Sequence, residues 1–129
     1  MRNGIIIMIY LIVTIVFNAC NKPAGTGGKV QLNIEAKHHT TPIPGCRIFI
    51  KYGAQEFPGS NTANYDASIT LDNNGKGSFT GLRKGDYYLY GVGFDPGLLE
   101  NVTGGIPVKI EVKAGDISVV VPVTEDHTQ

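Results

Sequence analysis

Beyond residue 28 the chain is a succession of short runs in which apolar side chains recur at every second position. No stretch of eleven residues holds the three-and-four spacing of an amphipathic helix. Val30, Leu32, Ile34 and Ala36 share one face of the first run, Cys46, Ile48 and Ile50 one face of the second, and Ile117, Val119, Val121 and Val123 one face of the last. Val108, Ile110 and Val112 do the same in the sixth. Successive side chains of an extended strand point to opposite faces, so each run offers one surface for burial and one for water. The runs cover residues 29–37, 46–52, 67–71, 77–80, 87–94, 107–113 and 117–123. Seven short strands with one buried face each predict an all-β fold, a seven-stranded antiparallel sandwich of two sheets. The breaks carry turn chemistry: Asn74-Gly75 is a hairpin dipeptide, Ala114-Gly115-Asp116 a tight connection, and Gly85-Asp86 opens the fifth strand. Pro122 lacks an amide hydrogen and predicts an edge position, or a non-bonding slot, for the last strand.

The first residues follow a different rule. Met1-Arg2-Asn3 is a short cationic start, and residues 5–17 are apolar except for Tyr10 and Thr14. A helix needs about 20 residues to cross the hydrocarbon core, so this run is short for a span and fits the apolar part of a cleaved secretory signal helix. Phe17-Asn18-Ala19-Cys20 resembles the lipobox of bacterial lipoproteins. Ala19 is the small residue that box requires before its cysteine, whereas Phe17 and Asn18 depart from the usual Leu and Ala or Ser. The resemblance implies a palmitate-type acylation of Cys20, which becomes the mature N-terminus and makes the membrane a partner through its lipid. Each buried methylene contributes roughly 0.8 kcal/mol, and two chains hold where one does not. The expected location is the cell envelope, on the outer membrane of a Gram-negative bacterium. No acidic residue follows Cys20 in residues 21–28, which favours the periplasmic side.

The domain plan is then a signal peptide over 1–19, a Pro/Gly-rich tether over 20–28, a sandwich over 29–124 and a tail over 125–129. As a random coil the eight tether residues after Cys20 would reach about 16 Å. The full chain has 11 basic and 11 acidic side chains, and losing Arg2 with the signal leaves 10 against 11, a net charge of −1. Such a balance argues against nucleic acid as a partner. With Cys20 acylated, Cys46 has no cysteine to pair with, and its place beside Ile48 and Ile50 makes it a small core residue.

Residues 44–94 resemble carboxypeptidase regulatory-like domains. Pro44-Gly45-Cys46-Arg47-Ile48-Phe49-Ile50 is similar to their opening strand. The run from Leu71-Asp72-Asn73-Asn74-Gly75 through Ser78-Phe79-Thr80-Gly81-Leu82 is similar to their Asp/Gly turn and following strand, and Gly85-Asp86-Tyr87-Tyr88-Leu89 to their Gly-x-Tyr-x-Leu. The same signature occurs in collagen-adhesin B-type repeats and in transthyretin (prealbumin)-like or Ig-like sandwiches. The resemblance implies a hairpin over residues 72–75, Phe79 and Leu82 in the core, Tyr87 buried with its hydroxyl on nearby backbone, and a module that is not an enzyme.

The residues themselves give little chemistry. The tail Thr124-Glu125-Asp126-His127-Thr128-Gln129 lacks the Tyr-Arg-Gly-Ser type end of transthyretin-like hydrolases. The positions that match the adhesin isopeptide hold Ile34-Glu35, Val92-Gly93 and Val123-Thr124, without the Lys, Glu and Asn that bond requires. Asp72-Asn73-Asn74-Gly75-Lys76 places a cation where a calcium loop needs oxygen, so it reads as a turn. His38-His39 point to opposite faces and read as a solvated strand end. No catalytic residue, metal site or cofactor is expected. Tyr88 and Tyr90 point outward with Val92 and Phe94, either as a recognition surface or beneath a cover from the 53–66 loop, which is the preferred reading. If strands run end to end, the tether and the 53–66 loop lie at one pole. The 38–45 connection, the 72–75 turn, a long loop over 95–105 and the tail lie at the other, facing away from the membrane. Leu98 and Leu99 on that loop are then candidate binding residues. The expected role is an accessory or interaction module of the envelope. The alternative is a carbohydrate- or peptide-binding lipoprotein of a nutrient-capture or adhesion system using Tyr88 and Tyr90 or the distal loops, with an envelope protein or glycan as partner.

Overall fold

The computed structural model describes residues 23–125, so the signal segment, Cys20 and residues 126–129 lie outside the described residues. The described chain is all-β, with nine strands in two sheets and one 3-10 turn at Thr62–Asn64. The strands are β1 (Thr26–His38), β2 (Thr41–Pro42), β3 (Arg47–Tyr52), β4 (Ala67–Thr70), β5 (Lys76–Leu82), β6 (Gly85–Asp95), β7 (Glu100–Ile110), β8 (Ala114–Pro122) and β9 (Thr124–Glu125). Each of the seven expected runs contributes a strand, and the two additions, β2 and β9, are two-residue pairs too short for any periodicity to show.

The first sheet is built on β1, which pairs antiparallel with β5 on one edge and parallel with β8 on the other, while β2 pairs with its far end. The second sheet runs β4-β3-β6-β7-β9. The sandwich is thus mixed and not wholly antiparallel. β7 ends in one sheet, residues 111–113 carry the chain across to the other, and β8 then travels the same way as β1. β8 has β1 as its sole hydrogen-bonded neighbour among the described strands, the edge position that Pro122 predicts.

Four features differ from the sequence pattern. β1 begins at Thr26, inside the stretch read as tether, because Gly25 is clamped: Tyr87 Oη accepts from Gly25 N at 2.9 Å, and Arg83 N donates to Gly25 O at 2.8 Å. The 72–75 turn does not close a hairpin; β4 belongs to one sheet and β5 to the other, so the turn is an arch between them. Asp72 Oδ1 holds that arch by accepting from Asn74 N at 2.8 Å and Lys76 N at 3.0 Å, with Gly75 at φ 72°. The 95–105 loop contracts to residues 96–99, since β6 and β7 pair continuously from Gly85↔Ile110 to Asp95↔Glu100. Gly104 and Gly105 hide this strand from a sequence reading. A Cβ on Gly104 would strike Pro122 O, and one on Gly105 would come within 2.6 Å of Leu89 O. β7 ends at Ile110, which leaves Val112 exposed instead of in line with Val108.

Both inner faces meet in one core. Val30, Leu32, Ile34 and Ala36 from β1 face Ile48, Ile50 and Leu89 across the sandwich, with Phe79, Leu82, Val108 and Ile110 at the flanks. Cys46 is fully buried there, and desolvation pushes its thiol up to about 11, so at neutral pH it stays a neutral, unreactive packing group. Tyr87 closes the end where the chain enters. Its ring is wholly buried, and its hydroxyl donates to Arg83 O at 2.7 Å while holding Gly25. Tyr87→Phe strands the Gly25 amide and should lower stability by about 1–3 kcal/mol. Urea midpoints measure the loss, and faster hydrogen exchange at Gly25 than at Leu32 locates it.

Candidate functional site

β1, β6 and β9 end together at the pole opposite Gly25, and each brings one ionisable side chain. His38 continues the inward alternation of β1 two positions past Ala36, and its side chain is 2 % exposed. Its Nδ1 lies 2.8 Å from Asp95 Oδ2 at the end of β6, and its Nε2 lies 3.2 Å from Glu125 Oε1 on β9. The second distance is that of an ion pair without hydrogen-bond alignment. The solvated strand end expected for His38-His39 is corrected for His38. It is a buried hydrogen-bonded tie between the two sheets, because the period-two face that buries Val30 to Ala36 does not stop at the last apolar residue. His39 takes the exposed side, at φ 56°, with its ring stacked 4.6 Å from that of His38.

Asp95 performs a second task. Its Oδ1 accepts from Gly97 N at 2.8 Å and Leu98 N at 3.3 Å, which fixes the turn between β6 and β7. The hydrogen bond from His38 holds the Asp95 carboxyl below its ordinary value; burial opposes this, and the two amides help it. The same bond raises His38, against the cost of burial and with help from the charges of Glu125 and Asp95.

The turn so fixed displays apolar residues. Among the described residues seven large apolar side chains stay exposed, and four of them, Val92, Phe94, Leu98 and Leu99, lie on this hairpin. The exposed apolar residues are therefore concentrated on one hairpin. Leu98 is 55 % and Leu99 76 % exposed, and Leu99 adopts φ 55°, the left-handed region that a branched side chain rarely enters.

Tyr88 and Tyr90 do point outward, yet they are only 9 % and 6 % exposed. The 53–66 loop folds over them: Phe57 sits 5.9 Å from Tyr88 and 5.3 Å from Tyr90, and Tyr65 stacks on Tyr90 at 5.7 Å. Gln55 Nε2 pins the loop to Val108 O at 3.2 Å, and Tyr65 Oη donates to Gly59 O at 2.9 Å. Burial, with Tyr90 and Tyr88 beside it, pushes the Tyr65 phenol up to about 12. Arg47 extends the cluster by lying 5.5 Å over the Phe49 ring. These aromatics form a covered outer layer, with no open platform at Tyr88 and Tyr90.

Of the residues singled out in sequence, Leu98 and Leu99 are therefore displayed, Tyr88 and Tyr90 are covered, and Cys20 lies outside the described residues. Sequence reasoning missed His38, Asp95 and Glu125. The alternation through His38 and the turn-forming Asp95-Pro96-Gly97 were the available signals, but nothing local connects residues 57 positions apart. No protein-family model matches the chain, and a search of curated proteins finds no match either.

The tie has a definite pH signature. A raised His38 stabilises the fold fully below its ordinary value of 6.5, and this is lost as pH rises through the raised folded value. A lowered Asp95 stabilises above its ordinary 3.8, and this is lost as pH falls through the lowered folded value. The difference in urea midpoint between the native chain and His38→Gln should be largest between pH 3.8 and 6.5 and shrink on both sides. A difference constant across that range would show that charge contributes nothing to the tie.

Proposed function

We propose that this chain is a lipid-anchored, non-enzymatic interaction module of the bacterial cell envelope, which engages a protein partner through the tip of the β6–β7 hairpin. The observation that carries the reading is Leu99, a large apolar side chain held exposed in left-handed backbone where Gly or Asn would be less strained. Strain of this kind persists where the surroundings enforce it and is concentrated at sites of function. Here the enforcing groups are Asp95 and, behind it, His38. Val92 and Phe94 extend the apolar surface from the tip along the outer side of β6.

The anchor supports the same reading. Cys20, in the lipobox-like Phe17-Asn18-Ala19-Cys20, precedes the clamped Gly25 by five residues, a reach of at most about 18 Å. β6 then runs 11 residues from that pole to the other, about 36 Å at 3.3 Å per residue. A chain acylated at Cys20 holds the tip outward from the bilayer. The resemblance of residues 44–94 to carboxypeptidase regulatory-like domains agrees with a scaffold that carries no chemistry of its own. The alternative based on Tyr88 and Tyr90 loses its platform to Phe57 and Tyr65.

Two measurements test the two halves of the proposal. Acyl labelling should disappear in Cys20→Ser, and unchanged labelling would refute the anchor. Leu99→Asn, which suits the left-handed backbone, should stabilise the domain by about 0.5–1 kcal/mol while abolishing cross-linking of the tip to its envelope partner. Stabilisation with undiminished cross-linking would remove the tip from the interaction.

A further inference from the structure

We infer a second binding site, independent of the hairpin, on the outer face of the first sheet: a trough across β5, β1 and β8 that takes a neutral saccharide. The register places small polar side chains in a row, Ser78↔Asn33↔Ser118, each on its own strand. Two strand spacings of about 4.8 Å separate the ends of the row. The next row is longer-limbed, Lys76↔Glu35↔Val120, so the Ser-Asn-Ser row is the floor of a depression. Its volume is about 540 Å³, within the roughly 300–1,000 Å³ of small-molecule sites.

The hydrogen-bonding state of the floor indicates what it awaits. Asn33 Oδ1 accepts from both Gln31 Nε2, at 2.8 Å, and Ser78 Oγ, at 2.7 Å. That pair of bonds occupies the Asn33 amide oxygen. The two Asn33 N–H donors and the Ser118 hydroxyl have no partner among the described residues. They are offered to a ligand that both accepts and donates, as a row of sugar hydroxyls does. Val120, exposed at the β8 side, supplies an apolar strip for the C–H face of a pyranose. The rim carries both signs, with Glu35 and Asp72 against Lys76, and Glu35 already engages Lys37 at 3.5 Å. A strongly charged ligand gains at one side of such a rim and loses at the other, whereas a neutral polyol meets no such penalty. The floor is also held rigid, because β1 is hydrogen-bonded on both edges, so little ordering is required on binding.

Titration of the ¹⁵N-labelled domain with maltopentaose and with penta-N-acetylchitopentaose, both neutral, followed by amide shifts, tests the site. The expected result is shifts at Asn33, Ser78 and Ser118 with millimolar or tighter affinity for one of the two. Asn33→Ala should weaken that binding at least tenfold, as should Ser118→Trp, which fills the trough from an exposed edge position and leaves the core untouched. Leu99→Asn should leave it unchanged, which separates this site from the hairpin reading. Absence of shifts with both saccharides, shifts that survive both trough variants, or shifts centred on the 53–66 loop or the hairpin would each overturn the inference.

Discussion

β1 is hydrogen-bonded along both edges while every inward side chain from Val30 to His38 is buried, and the remaining strands are arranged around that constraint. An extended segment with one fully buried face and two rows of backbone donors and acceptors needs three neighbours at once: a strand on each side and a sheet across the core. β5 and β8 supply the first two, and β3 with β6 supplies the third. The parallel relation of β8 to β1 follows from the same demand. The chain can return to the open edge of β1 only after crossing between sheets at residues 111–113, and it then runs in the same direction.

The inward face of β1 ends in an imidazole instead of an aliphatic group, and this links packing to display. Buried His38 requires a hydrogen-bond partner, and Asp95 supplies it from the opposite sheet with one oxygen while shaping the β6–β7 turn with the other. A single carboxyl group therefore sets the position of Leu98 and Leu99 relative to the core. A hairpin tip is ordinarily among the least ordered parts of a domain. Here its root is tied to β1 through His38, and the backbone that carries Leu98 is held by the same carboxylate.

Much of the fold was legible because period-two burial is a local signal. Val30 to Ala36 and Ile117 to Val123 announce their faces without reference to anything distant. The concealed parts each depend on a distant segment. Asn74-Gly75 reads as a hairpin, but whether it joins partners or crosses between sheets is decided by where β3 and β1 find their neighbours. Gly104 and Gly105 lower local strand propensity, yet they are needed because the β8–β9 corner and Leu89 O pass so close. Of the site, the exposure of Leu98 and Leu99 could be read from an apolar pair set in turn chemistry. The cover over Tyr88 and Tyr90 could be preferred but its residues not named, since it rests on Phe57 and Tyr65 meeting them from another loop. His38 and Asp95 were invisible as a pair for the same reason.

The placement of β1 also bears on how the molecule would carry load. Its N-terminal end emerges at the pole of Gly25, while the displayed hairpin is at the other. A pull applied between them draws β1 lengthwise against its neighbours. Its ladder to β8 alone holds nine register pairs, from Lys29↔Ala114 to Lys37↔Pro122, and a lengthwise pull strains these bonds together instead of opening them one by one from an end. Survival under force is governed by the rate of unfolding rather than by equilibrium stability. β1 is thus oriented so that tension between its N-terminal end and the hairpin tip meets the sheet in shear, its mechanically strongest direction.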